Sequence, residues 1–220
     1  MLCNRTTLVK GHNFNNSRRA GSPITTIKIY NSRDVDEILF FDIKKSEDDS
    51  VFDLDFIRQL TDECSVPITI GGGVKKIHEI TNLLLTGADK VALNTELYSN
   101  PDLVDESSKK FGAQTIVVGI DFKEVGRNTF KCVSHSGKKI ENVDPISWAI
   151  ECAERGAGEL IITSIDKDGL MKGYDTDMLK KISSKVTIPI VASGGAGSYK
   201  DMLDAFNKGA SAVAAASIYH

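Results

Sequence analysis

The sequence predicts a (β/α)8 TIM barrel made of two homologous half-barrels, on three observations. The first is an internal repeat: Val66-Pro67-Ile68-Thr69-Ile70-Gly71-Gly72-Gly73-Val74 and Ile188-Pro189-Ile190-Val191-Ala192-Ser193-Gly194-Gly195-Ala196-Gly197 share one shape, with Pro67 and Gly73 lying 122 positions before Pro189 and Gly195. A fixed period marks a duplicated architecture. The second is the reach of that offset, which carries Gly87-Ala88 onto Gly209-Ala210, Asn94-Thr95 onto Ala216-Ser217, Glu37 onto Glu159 and Pro23 onto Pro145 without a gap. The third is the alternation of short apolar runs with amphipathic segments, the pattern of parallel strands covered by helices on their faces. Four βα units per half would close the sheet. An open doubly wound sheet competes with this, but its single switch point does not call for two equivalent glycine turns.

Residues 1–21 are polar and lack periodicity, with Leu8-Val9 their one apolar pair, and read as a loop. Ser22-Pro23 supplies a cap and a first-turn proline for a helix spaced on Ile24, Ile27 and Tyr30. Ile38 to Ile43 is an apolar strand without alternation, and a helix begins near Asp53 on Leu54, Ile57 and Leu60. The strand from Pro67 ends at Gly71, and a helix over 75–86 puts Ile77, Ile80, Leu83 and Leu84 on one face before Gly87. Strand 90–93 leads to Asn94-Thr95, and the next helix starts at Asn100-Pro101 and closes at Gly112. The second half repeats the plan: strand 115–121, a β excursion over 129–133 with the turn Ser136-Gly137-Lys138-Lys139, and strands 159–164, 188–192 and 212–216. Its helices fall at about 145–155, 176–184 and 198–208. The domain expected is single, 1–220, with half-barrels of about 1–110 and 111–220.

The offset also makes a negative prediction. Strand 116–121 shifted back by 122 falls before Met1, and the chain stops directly after its last strand. Strand 1 and helix 8 are therefore expected to be missing.

Composition narrows the function classes. The 27 basic and 30 acidic residues are spread along the chain, giving a net charge of −3 and no stripe suited to nucleic acid or a membrane surface. Cys3, Cys64, Cys132 and Cys152 form no Cys-x-x-Cys pair, and His12, His78, His135 and His220 have no metal-ligand spacing, so neither metal nor cofactor is expected. No apolar run approaches a membrane span and the start lacks a signal-peptide core, which makes the expected location cytoplasmic.

The chemistry centres on the glycine turns. Glycine lets backbone N–H groups approach an anion, and a following helix start adds a favourable dipole, so Gly72-Gly73 and Gly194-Gly195 can each cradle a phosphate. Asn94-Thr95 and Ala216-Ser217 end the next strands and would complete two pockets. Two pockets imply a substrate phosphorylated at both ends. Asp121 ends an apolar strand, the position of a barrel's acid or base. Asp42, Asp166 and Asp168 also lie at strand ends and are read as shaping the loops. Cys132 with His135 reads as packing on the excursion and Trp148 as core. Arg5, Glu37, Lys90 and Glu159 fall just before strands or at their beginnings, a ring of charge on the opposite face.

These residues resemble the cyclase subunit of imidazole glycerol phosphate synthase, through Leu8-Val9-Lys10-Gly11 with Asn13-Phe14, Asp36 to Ile43, Gly71-Gly72-Gly73, Gly87 to Val91 with Asn94-Thr95, Val117 to Asp121, Gly156 to Glu159, Thr163 to Gly169 and Ala192 to Gly197. The resemblance spans nearly the whole chain. It implies an ammonia-dependent ring closure on a bisphosphorylated ribulosyl aminoimidazole carboxamide nucleotide in histidine biosynthesis, with a glutaminase partner in a heterodimer. It implies Asp121 as one of two acid/base aspartates, Gly73, Asn94, Thr95, Gly169, Gly195, Ala216 and Ser217 around the phosphates, and Arg5, Glu37, Lys90 and Glu159 as the ammonia gate and docking face. The family's second aspartate is expected between Arg5 and Leu8, where this sequence has no residue for it. Two alternatives follow: a paralogue type that passes ammonia to a nucleotide-activated sugar in surface-polysaccharide synthesis, whose first strand is apolar, and a non-catalytic barrel that activates a glutaminase.

Overall fold

The computed structural model describes residues 1–45 and 50–219. Two compact units are present: Met1–Lys10 with Ser17–Ile116, and Gly11–Asn16 with Val117–His220.

In the first unit, β1 (Leu2–Asn4), β4 (Ile38–Asp42), β5 (Ile68–Gly71) and β6 (Lys90–Leu93) pair in parallel in that order. Their helices are α1 (Pro23–Asn31), α2 (Leu54–Glu63), α3 (Ile77–Leu85) and α4 (Asp102–Phe111). Strand residues Ile38, Phe40, Ile68, Ile70, Val91 and Leu93 are buried, as are Ile57, Leu60, Ile80, Leu83 and Val104 from the helices. Each such side chain contributes about 1.5–3 kcal/mol on leaving water. Asp53 caps α2 by accepting from the Phe56 amide, and Gly87, at φ 112°, turns the chain after α3.

The second unit takes β7 (Ile116–Gly126) from Val117 onward and pairs it in parallel with β10 (Glu159–Ser164), β11 (Ile190–Ser193) and β12 (Ala212–Val213). On its other side β7 continues into an antiparallel ribbon with β8 (Thr129–Ser134) and β9 (Lys139–Ile140). Helices α5 (Pro145–Glu154), α6 (Thr176–Ser183) and α7 (Tyr199–Phe206) start at the side-chain caps Asp144, Asp175 and Ser198.

The repeat is present in the hydrogen-bonded registers. Ile38 lies opposite Ile68 and Leu160 opposite Ile190; Thr69 lies opposite Lys90 and Val191 opposite Ala212. Every one of these pairs maps onto its counterpart by 122. The 3-10 turn Thr95–Tyr98 after β6 likewise corresponds to Ser217–Tyr219 after β12. The chain is an α/β protein of TIM-barrel type.

Two expectations are corrected at the N-terminus. Strand 1 is present as β1: Leu2 and Cys3 pair in parallel with Phe41 and Asp42. Residues 1–21 are a β segment instead of a loop, because β2 (Thr7–His12) turns back antiparallel on β1, with Asn4 opposite Thr7, and β3 (Asn15–Gly21) follows. Arg18, Arg19 and Ala20 are exposed, so this hairpin shows none of the apolar pattern by which a strand is read. β7 also runs past Asp121 to Gly126, and β12 is shorter than expected.

Candidate active site

In the first unit, β5 ends where the backbone passes through Gly72 at φ 107° and Gly73 at φ 63°. A Cβ on Gly72 would sit 2.1 Å from the Asp42 carbonyl oxygen, so the turn lies against the end of β4. The Asp42 carboxylate organises that end by accepting from the amides of Lys44 at 3.0 Å and Lys45 at 3.2 Å. Asn94 and Thr95 follow β6, where Leu97 N–H bonds the Asn94 carbonyl to open the 3-10 turn. In the second unit Gly195, at φ 111°, would place a Cβ 2.2 Å from the Gly173 carbonyl. Ala216 and Ser217 follow β12, and Tyr219 N–H bonds the Ala216 carbonyl. In each unit a glycine turn after one strand is thus followed by a 3-10 turn after the next.

The helix starts beside these turns are already occupied. Glu79 accepts from the amides of Lys75 at 2.7 Å and Lys76 at 3.1 Å, and Asp201 accepts from Gly197 N–H at 3.1 Å and Ser198 Oγ–H at 2.9 Å. Burial pushes the Glu79 carboxyl up, but the Lys45 ion pair and these amides outweigh it and hold the group below its ordinary range. The amides at these two helix starts are therefore committed to their own helices' carboxylates.

Asp121 is half-buried on β7, opposite Thr163 of β10 and Val133 of β8. Its counterpart can be read from the registers. Phe41 and Thr163 are equivalent by the repeat, Phe41 faces Leu2 and Thr163 faces Asp121, so Leu2 occupies in the first unit the position that Asp121 holds in the second. The expected gap between Arg5 and Leu8 does not exist, because Arg5 and Thr6 form the two-residue turn between β1 and β2, with Arg5 at φ 55°. The position at issue lies on β1 and holds a leucine.

The second unit also contains the hairpin tip Gly11–Asn16, which docks on the loop after β10. Asn13 N–H bonds the Asp168 carbonyl at 3.0 Å, Asn13 Nδ2 donates to the Asp166 carbonyl at 3.2 Å, and His12 Nδ1 lies 2.9 Å from the Gly169 carbonyl. Gly169, at φ 74°, has no room for a side chain, since a Cβ would fall 2.5 Å from the Gly11 carbonyl. Burial pushes the Asp168 carboxyl up to about 6, against the opposing pull of His12 and the Phe14 amide. Asp166 accepts from Glu124 N–H at 2.7 Å, a loop-ordering bond.

At the strand starts, Glu37 accepts from Thr69 Oγ1–H at 2.6 Å and pairs with Lys90 at 2.8 Å. Glu159 opens β10 in the other unit. Arg5 is the exception: β2, the strand it precedes, runs antiparallel, so Arg5 stands at the C-terminal end of β1, where its amide approaches Asp42 Oδ1 at 3.4 Å. It does not belong to the strand-start charges. Cys132 is buried and Trp148 packs in the core. Among the described residues no cluster could hold a metal ion and no helix is long and apolar enough to cross a membrane; His220 lies outside the described residues.

Two residues were missed from sequence, Lys45 and Lys167. They are 122 apart, so the repeat itself was the signal.

The fold is that of a duplicated βα protein, with a glycine turn after β5 and after β11 and a half-buried carboxylate on β7. Residues 4–220 match the family described as histidine biosynthesis protein. The chain is 43% identical over 213 residues to the imidazole glycerol phosphate synthase subunit HisF of Endomicrobium trichonymphae, covering 97% of this chain and 82% of that protein. It is 41% identical over 213 residues to the HisF subunit of Streptomyces griseus, covering 97% and 85%, and 42% over 214 residues to that of Petrotoga mobilis, again 97% and 85%. The chain belongs to this family and groups with its cyclase subunits, lyase-type enzymes of histidine biosynthesis.

Proposed function

We propose that the protein acts on a small substrate phosphorylated at both ends, that the glycine turn of each unit is an anion-accepting turn, and that Asp121 is the acid/base group and a glutaminase subunit the source of ammonia. The observation that carries this reading is the coincidence of register between the two units, which gives Gly73 with Asn94 and Thr95, and Gly195 with Ala216 and Ser217, the same build. The relatives are named as one subunit of imidazole glycerol phosphate synthase, which supports ammonia-dependent ring closure as the reaction and a second subunit as the ammonia source. Ammonia addition and ring closure both move protons, and a half-buried carboxylate at a strand end suits that work. Glu37, Lys90 and Glu159 are the residues proposed for the docking face.

One observation favours a second reading. Leu2 stands at the repeat position of Asp121, so the two strand-end carboxylates of a ring-closing pair are reduced to one. Single-carboxylate chemistry suits transfer of ammonia to one carbon, as in a paralogue acting on a nucleotide-activated sugar. The test is turnover of the bisphosphorylated ribulosyl aminoimidazole carboxamide nucleotide with ammonium, reading release of the aminoimidazole nucleotide. Release that disappears in Asp121→Asn supports the ring-closing reading. No release, with glutaminase stimulation retained, overturns it and leaves the sugar paralogue and the non-catalytic glutaminase activator.

A further inference from the structure

A buried lysine lies beside the first glycine turn. Lys45 is 2% exposed; its ammonium donates to the Gly73 carbonyl at 2.5 Å, pairs with Glu79 at 2.8 Å, and sits 4.6 Å from the centre of the Phe52 ring. Taking a lysine this far out of water is unfavourable unless its charge is paired and its protons are bonded. Glu79 pairs the charge, Glu79 and the Gly73 carbonyl accept protons, and the Phe52 ring adds a cation–π contact.

The repeat indicates what the arrangement serves. An offset of 122 carries Lys45, Phe52, Gly73 and Glu79 onto Lys167, Tyr174, Gly195 and Asp201. Lys167 Nζ donates to the Tyr174 carbonyl at 3.0 Å, and the Gly195 carbonyl accepts from Gly173 N–H at 2.8 Å. The second glycine's carbonyl is therefore tied back in both units, by a backbone amide in one and by Lys45 in the other. The counterpart of Gly173 is Val51, which is 87% exposed. Because the peptide unit is planar, a carbonyl fixed toward Lys45 directs the Val74 N–H to the opposite side. It also keeps an oxygen from facing a bound anion.

We propose that Lys45 is a positioning residue, which holds the Gly73–Val74 peptide in its anion-accepting orientation and does in the first unit what the Gly173 amide does in the second. The proposal rests on the phosphate reading of the turns.

The experiment is a titration with inorganic phosphate at constant ionic strength, followed by the 15N–1H shifts of Gly73, Val74, Gly195 and Ala196. In the unaltered protein phosphate shifts both pairs. Lys45→Met weakens binding at the first turn about tenfold, the loss of a pre-set donor to an anion, and leaves the second turn unchanged. Where that variant does not fold, Lys45→Met with Glu79→Gln removes both charges together, so that neither is left buried alone, and the same selective loss is expected. Equal affinity at the first turn, or equal weakening at both turns, overturns the proposal. If phosphate shifts neither pair in the unaltered protein, the phosphate reading itself fails.

Discussion

The closeness of the first glycine turn to β4 makes a quantitative prediction, with a built-in control. Gly72 at φ 107° and Gly21 at φ 131° both hold backbone that L side chains rarely adopt, but a Cβ on Gly72 meets the Asp42 carbonyl oxygen at 2.1 Å, whereas one on Gly21 meets nothing within 4 Å. Alanine at either site pays the left-handed backbone strain of about 1–2 kcal/mol. The gain from a stiffer unfolded chain is the same for both and cancels in the comparison. Only Gly72→Ala adds a clash, and with backbone atoms that cannot swing aside, since Asp42 is held by the amides of Lys44 and Lys45. Overpacking of this kind costs about 1–3 kcal/mol more. With a urea slope of about 3 kcal/mol per molar, the two midpoints should differ by about 0.3–1 M, Gly72→Ala being lower at an unchanged slope. Phosphate binding at the first turn should weaken in Gly72→Ala alone. Equal midpoints would refute the claim that close approach, and not only φ, demands glycine there.

Asp121→Asn should lower ammonium-dependent turnover by at least about a hundredfold while its unfolding free energy in urea stays within about 0.5 kcal/mol of the unaltered protein's; normal turnover would remove Asp121 from the chemistry. The Asp168 carboxyl has a folded-state pKa of about 6 against 3.8 for the free group, so its protonated form favours the fold: that contribution is fully present below about pH 4 and lost as pH rises through about 6. Asp168→Asn should thus be more stable than the unaltered protein at pH 8, by on the order of 2 kcal/mol, and the difference should vanish near pH 4; a gap that does not change with pH would contradict the burial argument. Lys90→Met, which breaks the 2.8 Å pair with Glu37, should cost about 1 kcal/mol of stability and lower the glutamine-dependent rate but not the ammonium-dependent one. Equal loss of both rates would detach this pair from partner coupling.

The duplicated part of the fold was readable because its signal is periodic. Strands such as Leu160–Ile162 are buried on both faces and read as continuous apolar runs, and the glycine turns require glycine for steric reasons that leave a mark in the sequence. The N-terminus was not readable in the same way. Leu2 and Phe41 are 39 positions apart while Asp121 and Thr163 are 42 apart, so the shared offset breaks by three residues before β4, and a three-residue strand beside an exposed hairpin carries too little pattern to reveal it. Arg5 lies at the C-terminal end of β1 and not at a strand start, because β2 runs antiparallel and its direction cannot be read from an order of residues. Lys45 and Lys167 satisfied the offset, yet a lysine in a loop reads as solvated until its burial is seen.

Leu2 stands where the repeat places the counterpart of Asp121, in place of a second carboxylate. The most direct test is the rate of aminoimidazole nucleotide release from the bisphosphorylated substrate with ammonium, for the unaltered protein and for Leu2→Asp. Leu2→Asp is expected to be faster by at least about a hundredfold, the scale of one added general acid or base, with the gain abolished when Asp121→Asn is added. A Leu2→Asp variant no faster than the unaltered protein, with both fully folded, would contradict that placement.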